Sequence, residues 1–166
     1  MPSPPLKATA TPTAGGSGSK PQALRRHVAA IADLGRKAIS GSPIEELFDD
    51  ACALVAAALA VECVSLIETV GDELVFRATA GWPDFDAVGR HAPRSKRTQA
   101  AYTLDIDDTV VLVDPAGETR FDVSESLLEY GIASGVSVPI RGPDRAFGVL
   151  AAHTRRRRRF SEDDTI

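Results

Sequence analysis

The chain has 166 residues, 43% of them apolar and 25% charged, with a formal net charge of −4. That leaves room for one ordinary globular domain and excludes a wholly disordered or fibrous chain. No apolar run approaches the ~18 residues a membrane helix needs, and the N-terminus lacks the apolar core of a signal peptide, so the expected location is the cytoplasm.

Residues 1–21 are rich in Pro, Gly, Ser and Thr and read as a disordered tail, leaving 22–166 as the folded domain. The tail carries Lys7 and Lys20, so the remaining residues sum to −6. That balance argues against nucleic acid as a partner. The two cysteines, Cys52 and Cys63, have no CxxC and no histidine at metal spacing, and read as buried reduced thiols.

Over residues 22–39, Leu24, Val28, Ile31, Gly35 and Ala38 recur at spacings of three and four, the stripe of an amphipathic helix. In Ser42-Pro43-Ile44-Glu45 the spacing predicts a capping box with Ser42 as cap. A second helix follows to about Ala60, with Ile44, Leu47, Phe48, Ala51, Cys52, Val55, Ala58 and Leu59 on one face. Residues 64–70 and 74–79 predict an antiparallel hairpin about Gly71-Asp72, with Leu74, Phe76 and Ala78 on one side. Residues 81–97 show no periodicity and read as a long loop.

A short helix is expected over 98–104, then a buried strand over 109–113 that ends at Asp114-Pro115. Asp122-Val123-Ser124-Glu125 signals a two-turn helix stopped by Gly131. Val136, Val138 and Ile140 alternate with Ser137 and Pro139 and pair across Gly142-Pro143-Asp144 with a strand over 146–154. Pro139 suggests a strand end or edge. Ser161-Glu162-Asp163-Asp164 announces a helix that Ile166 cuts short, so a longer polypeptide is expected to carry the output.

This order of elements resembles the GAF domains of bacterial sensor histidine kinases and cyclases, over about residues 24–166. The likeness rests on five pieces in sequence. They are Val110-Val111-Leu112-Val113-Asp114, Glu118-Thr119-Arg120-Phe121, the run from Gly131 through Ile140, Phe147-Gly148-Val149-Leu150, and Arg159-Phe160-Ser161-Glu162-Asp163-Asp164. The resemblance implies an α+β (α/β) fold, PAS-related, with an antiparallel sheet of five or six strands. Terminal helices would pack on one face, with a ligand cavity under loops on the other. Gly148 reads as a site of close helix packing.

Several chemistries of that family find no support in these residues. The cysteine-dependent reductase of free methionine sulfoxide uses cysteines in later loops, and none follows Cys63. The same lack disfavours bilin attachment. The cyclic-nucleotide signature contains Asn, which this chain does not have. A haem ligand would have to be His27, His91 or His153, and His91 in the long loop is the credible one. No catalytic motif pairs a nucleophile with a base, so no enzyme activity and no cofactor are expected.

What remains is a regulatory module that binds a small effector beneath the loop of residues 82–104. Trp82, Phe85, Tyr102 and Phe121 would supply aromatic walls, beside His91. Each aromatic competes with a core role, because aromatics are only 5% of the chain. Leu24, Val28 and Ile31 would form a homodimer interface and pass a signal to a kinase or cyclase domain. The alternative is a ligand-free dimerisation or docking module. The run Arg155, Arg156, Arg157, Arg158 and Arg159 could grip phosphate, nucleic acid or a membrane, but no basic helix accompanies it and it reads first as a solvated strand end, so neither nucleic acid nor a membrane is an expected partner.

Overall fold

A computed structural model describes residues 19–82, 87–161 and 164, with the side chains of the first helix described from Val28 onward. Phe85, the side chains of Leu24 and His27, and Glu162 and Asp163 of the last capping signal lie outside the described residues. Helix α1 spans Ser19–Ile39 and begins three residues before the expected start. Its Ala30, Asp33, Leu34 and Lys37 are part-buried on the side toward helix α2, Ile44–Leu59, where Lys37 pairs with Asp50. The apolar stripe itself points elsewhere: Val28 is 58% and Ile31 60% exposed.

The capping box at α2 does not form. Pro43 takes the N-cap position at φ −51°, ψ 138°, with no side-chain bond to the first turn. A residue before proline is held extended, which leaves Ser42 one position too early. Glu45 and Glu46 instead place acid in the first turn, where it meets the positive end of the helix.

Six strands form one antiparallel sheet: β1 Cys63–Val70, β2 Glu73–Ala80, β3 His91–Pro93, β4 Val110–Leu112, β5 Ser134–Arg141 and β6 Ala146–Thr154. Their order is β3-β2-β1-β6-β5-β4. The β1–β2 hairpin forms as expected, but Leu74, Phe76 and Ala78 do not share a face. Leu66 pairs with Ala78 and Ile67 with Phe76, so a bulge absorbs Arg77 and shifts the phase by one. Leu74 and Phe76 then pack with Ile67 on one side of the sheet, and Ala78 with Leu66 on the other.

The expected long loop contains β3, whose Leu74–Ala92 pairing adds an edge strand too short to leave a periodic signal. Strand β4 is the opposite edge. Val110 and Leu112 point inward, Val111 is half-buried and Val113 is exposed, so it alternates rather than being buried throughout. Pro139 lies beyond Ser137, the last β5 residue paired with β4, where its missing N–H costs no ladder bond. Gly148 serves a strand and not a helix: a Cβ there would stand 2.0 Å from the Ile67 carbonyl oxygen on β1.

Helix α2 covers one face of the sheet, over Val61, Val64, Leu66, Ala78, Val136 and Ala152, with the rings of Phe48 and Phe147 5.8 Å apart. The other face is covered by α3, Gln99–Ile106, by α4, Glu125–Glu129, and by the connections between them. At five residues α4 is shorter than the expected two turns. Ser124 precedes it with no cap bond, its hydroxyl being 3.1 Å from that of Ser126. Near the C-terminus the Asp164 carboxylate accepts from the Ser161 amide at 2.8 Å and hydroxyl at 3.0 Å.

Candidate functional site

The α3-facing side of the sheet carries Cys63, Ser65 and Ile67 of β1, Val149, Ala151 and His153 of β6, and Gly135 and Ser137 of β5. These alternate with the residues under α2, as a two-residue period requires. Thr98 caps α3, its hydroxyl accepting from the Ala101 amide at 3.2 Å, and this turns Gln99 down toward the sheet. Four polar side chains, each at most 5% exposed, meet there: Gln99, Thr103, Ser137 and His153.

They form one directed chain. His153 Nε2 lies 3.1 Å from Gln99 Oε1 and, in the neutral tautomer protonated at Nε2, donates its N–H to it. Gln99 Nε2 donates to Ser137 Oγ at 3.0 Å, the Ser137 hydroxyl lies 2.7 Å from Thr103 Oγ1, and Thr103 donates to the Gln99 carbonyl at 2.8 Å. Burial pushes the His153 pKa down to about 4, so the imidazole is neutral at physiological pH. With Nε2 donating, Nδ1 is an acceptor, and it is buried with no hydrogen-bond partner among the described residues. Gly135 makes room for the ring, since a Cβ there would stand 2.4 Å from His153 Cδ2.

Trp82 is the wall beside His153. Its indole donates to the Val64 carbonyl at 3.1 Å, and its ring lies edge-on to Tyr130 at 5.3 Å and to His153 at 5.9 Å. Gly81 delivers it there with φ +71°, and a Cβ at Gly81 would fall 1.8 Å from the Glu62 carbonyl oxygen. On the far side of Val123, Tyr102 and Phe121 meet at 5.8 Å over Val110 and Leu112. Arg120 stacks over both rings, held by Glu118 at 2.7 Å and by the Val111 carbonyl.

The structure thus brings Tyr102 and Phe121 together and sets Trp82 in a neighbouring cluster. Phe121, 2% exposed, is core. His91 lies on edge strand β3 and not in a loop; its exposed ring is 2.6 Å from Glu73, apart from the buried network. Sequence reasoning passed over Gln99, Thr103, Ser137, Gly135 and His153. The signal for His153 was present: it continues the spacing of Val149 and Ala151, two buried residues.

The arginine run is largely spent within the fold. Arg157 pairs with Asp114 at 3.2 Å, Arg156 lies 3.8 Å from Glu62, and Arg158 binds Asp164 and the Leu59 carbonyl and stacks on Phe160.

A GAF-domain family profile matches residues 43–165. The chain belongs to the GAF family. No curated protein is significantly similar to it in sequence. Among solved structures, the GAF domain of an Acinetobacter phosphoenolpyruvate-protein phosphotransferase superposes with TM-score 0.68 at 18% identity, over 84% of this chain and 83% of that one. Free methionine-R-sulfoxide reductase from Neisseria meningitidis, solved with its substrate, gives 0.69 at 19% identity, over 90% and 84%. A phycoerythrobilin-bound GAF domain from a cyanobacterial phytochrome gives 0.67 at 20% identity, over 85% and 88%. These likenesses establish the GAF fold, a six-stranded antiparallel sheet with helices on both faces. GAF domains are a family of ligand-binding sensory modules. No described helix is long and apolar enough to cross a membrane.

Proposed function

We propose that this GAF domain is a sensory module whose effector enters the α3 face of the sheet, between Trp82 and Tyr130 on one side and α3 on the other. The observation that carries this reading is the buried polar chain ending at the unpartnered Nδ1 of His153. A buried acceptor without a donor is costly, and a small ligand bringing an N–H or O–H to it would satisfy it. The ligand class that fits is small and uncharged, with a hydrogen-bond donor and a flat apolar surface to lie on Trp82. Ala101, Thr103 and Leu104 are buried, so binding requires α3 to move outward. Ligand affinity for the opened state is what would shift the population.

Signal output would run through the helices on the other face. The exposed Val28 and Ile31 lie on the side of α1 turned from α2, with Leu24 continuing the stripe in sequence, and suit a homodimer that relays the change to a kinase or cyclase domain. The neighbouring reductase structures raise an enzymatic alternative, which the thiols here do not favour. Cys52 and Cys63 are both buried, burial raising the Cys52 pKa to about 12 and raising that of Cys63, so neither offers a ready thiolate. The exposed α1 stripe also supports a second reading, a ligand-free dimerisation module.

Two measurements separate these readings. Sedimentation of Val28→Glu should show a dimer falling to a monomer; a wild-type monomer removes the interface. Mass spectrometry of small molecules released from protein purified from cells should find one that returns to wild type and not to His153→Phe. If none is found and no metabolite alters the indole fluorescence of Trp82, the module works without an effector.

A further inference from the structure

The outer side of α3 carries a second feature. A surface hollow of about 200 Å³ has Arg94, Lys96, Arg97 and Arg120 in its lining, together with Tyr102 and Asp105. Four cations and one carboxylate converge there, in a chain whose net charge is −4.

The partners of each cation show which charges are spent. The Arg120 guanidinium is committed to Glu118 and to the Val111 carbonyl. Arg94 reaches Asp105 at 3.2 Å. The Arg97 guanidinium makes one bond among the described residues, Nη2 to the Arg120 carbonyl at 3.1 Å. The remaining Arg97 N–H groups and the Lys96 ammonium have no hydrogen-bond or carboxylate partner among the described residues. Two adjacent like charges at the rim of a concavity repel each other unless an anion sits between them.

The hollow is smaller than the roughly 300–1,000 Å³ of sites for drug-sized ligands, so its occupant is a compact group. A phosphoryl group matches: a dianion with several acceptor oxygens, suited to a planar guanidinium and an ammonium together. Arg94 also borders a larger cleft of about 360 Å³ containing Arg141, Asp107, Arg145 and Asp144, which leaves space for a polar organic part. An extended nucleic-acid backbone would need a basic track rather than one recess.

We infer that the hollow at Lys96 and Arg97 binds the phosphoryl group of a small phosphorylated molecule. The site is separate from the face under α3 and stands whether or not that face takes an effector. The test is calorimetric titration of the full chain, at low ionic strength, with inorganic phosphate, pyrophosphate and a short single-stranded oligonucleotide. Saturable one-to-one binding of phosphate or pyrophosphate is expected, weakened about three- to tenfold by Lys96→Gln and further by Lys96→Gln with Arg97→Gln. Arg155→Gln with Arg159→Gln, which removes the same charge elsewhere, should leave it within twofold. The Lys96 side chain is exposed and has no hydrogen-bond partner among the described residues, and the backbone bonds of this residue to Pro93 and Thr98 survive the substitution, so its variant tests binding without unfolding the chain. Absence of saturable heat, equal weakening by both double variants, or stronger binding of the oligonucleotide would each overturn the inference.

Discussion

The two faces of this sheet are built from the same strands and hold their helices in different ways. Under α2 the contact is apolar: Phe48, Val55 and Leu59 lie on Val64, Leu66, Val136 and Ala152. Under α3 the apolar contribution is smaller, from Ala100, Ala101 and Leu104, and Gln99 and Thr103 reach Ser137 and His153 through hydrogen bonds. Burying a large apolar side chain contributes about 1.5–3 kcal/mol, whereas a hydrogen bond exchanged for one with water nets about 0.5–1.5 kcal/mol. A helix of eight residues held mainly by alanines and hydrogen bonds can therefore leave the sheet at lower cost than one of sixteen residues held by large apolar groups. One face fixes the fold, and the other is the one expected to open.

The largest expected effect breaks the fixed face. Leu66→Ala should lower unfolding stability by about 2–5 kcal/mol in urea, because the residue is nearly fully buried under α2. A loss below about 1 kcal/mol would mean that this face is not the better packed one.

Next is the pH response of the opening face. The folded His153 pKa, lowered by burial from 6.5 to about 4, lies below its unfolded value, so the unfolded chain binds the extra proton. The sign follows: His153 contributes nothing unfavourable above pH 6.5, and stability falls as pH drops from about 6.5 toward 4. The decline should total on the order of 3 kcal/mol. His153→Phe should lose that slope. The carboxyls of Glu62, Glu118 and Asp164 are held below their usual range by the Thr154 hydroxyl, Arg120 and the Ser161 amide respectively. They destabilise in the same direction, but only below about pH 4.5. A wild-type slope between pH 6.5 and 5 that His153→Phe retains would show that the ring is not buried neutral.

Gln99→Leu should cost about 1–3 kcal/mol by stranding Ser137 and His153, and should abolish effector binding. Stabilisation by this variant would show that the polar network serves no structural purpose, leaving function as its reason. The smallest effect belongs to the surface: Arg155→Gln with Arg159→Gln should change stability by less than about 0.5 kcal/mol.

Much of this architecture was legible in the sequence because the elements are periodic and punctuated. The α2 stripe, the hairpin at Gly71-Asp72 and the strand after Gly142-Pro143-Asp144 each announce themselves within a dozen residues. What escaped is non-local. The bulge that swallows Arg77 arises from β1–β2 pairing and leaves no mark in either strand alone. Strand β3 exists only because β2 offers an edge. Gly148 is small because the Ile67 carbonyl passes beside it, a fact about another strand. At the site, Trp82 was identifiable as an aromatic after a glycine stop, whereas Gln99, Ser137 and His153 come together from positions up to 54 apart in sequence. Among the histidines the sequence favours His91 in the long loop, although the spacing of His153 from Val149 and Ala151 places it inside.

The most direct test of the two-face account is amide hydrogen exchange on the intact chain. The account predicts that amides of α3, Gln99–Ile106, exchange through a local opening at clearly lower free energy than those of α2, Ile44–Leu59, which exchange only on global unfolding. If α3 and α2 exchange at the same free energy, the α3 face does not open on its own and cannot be the sensing face.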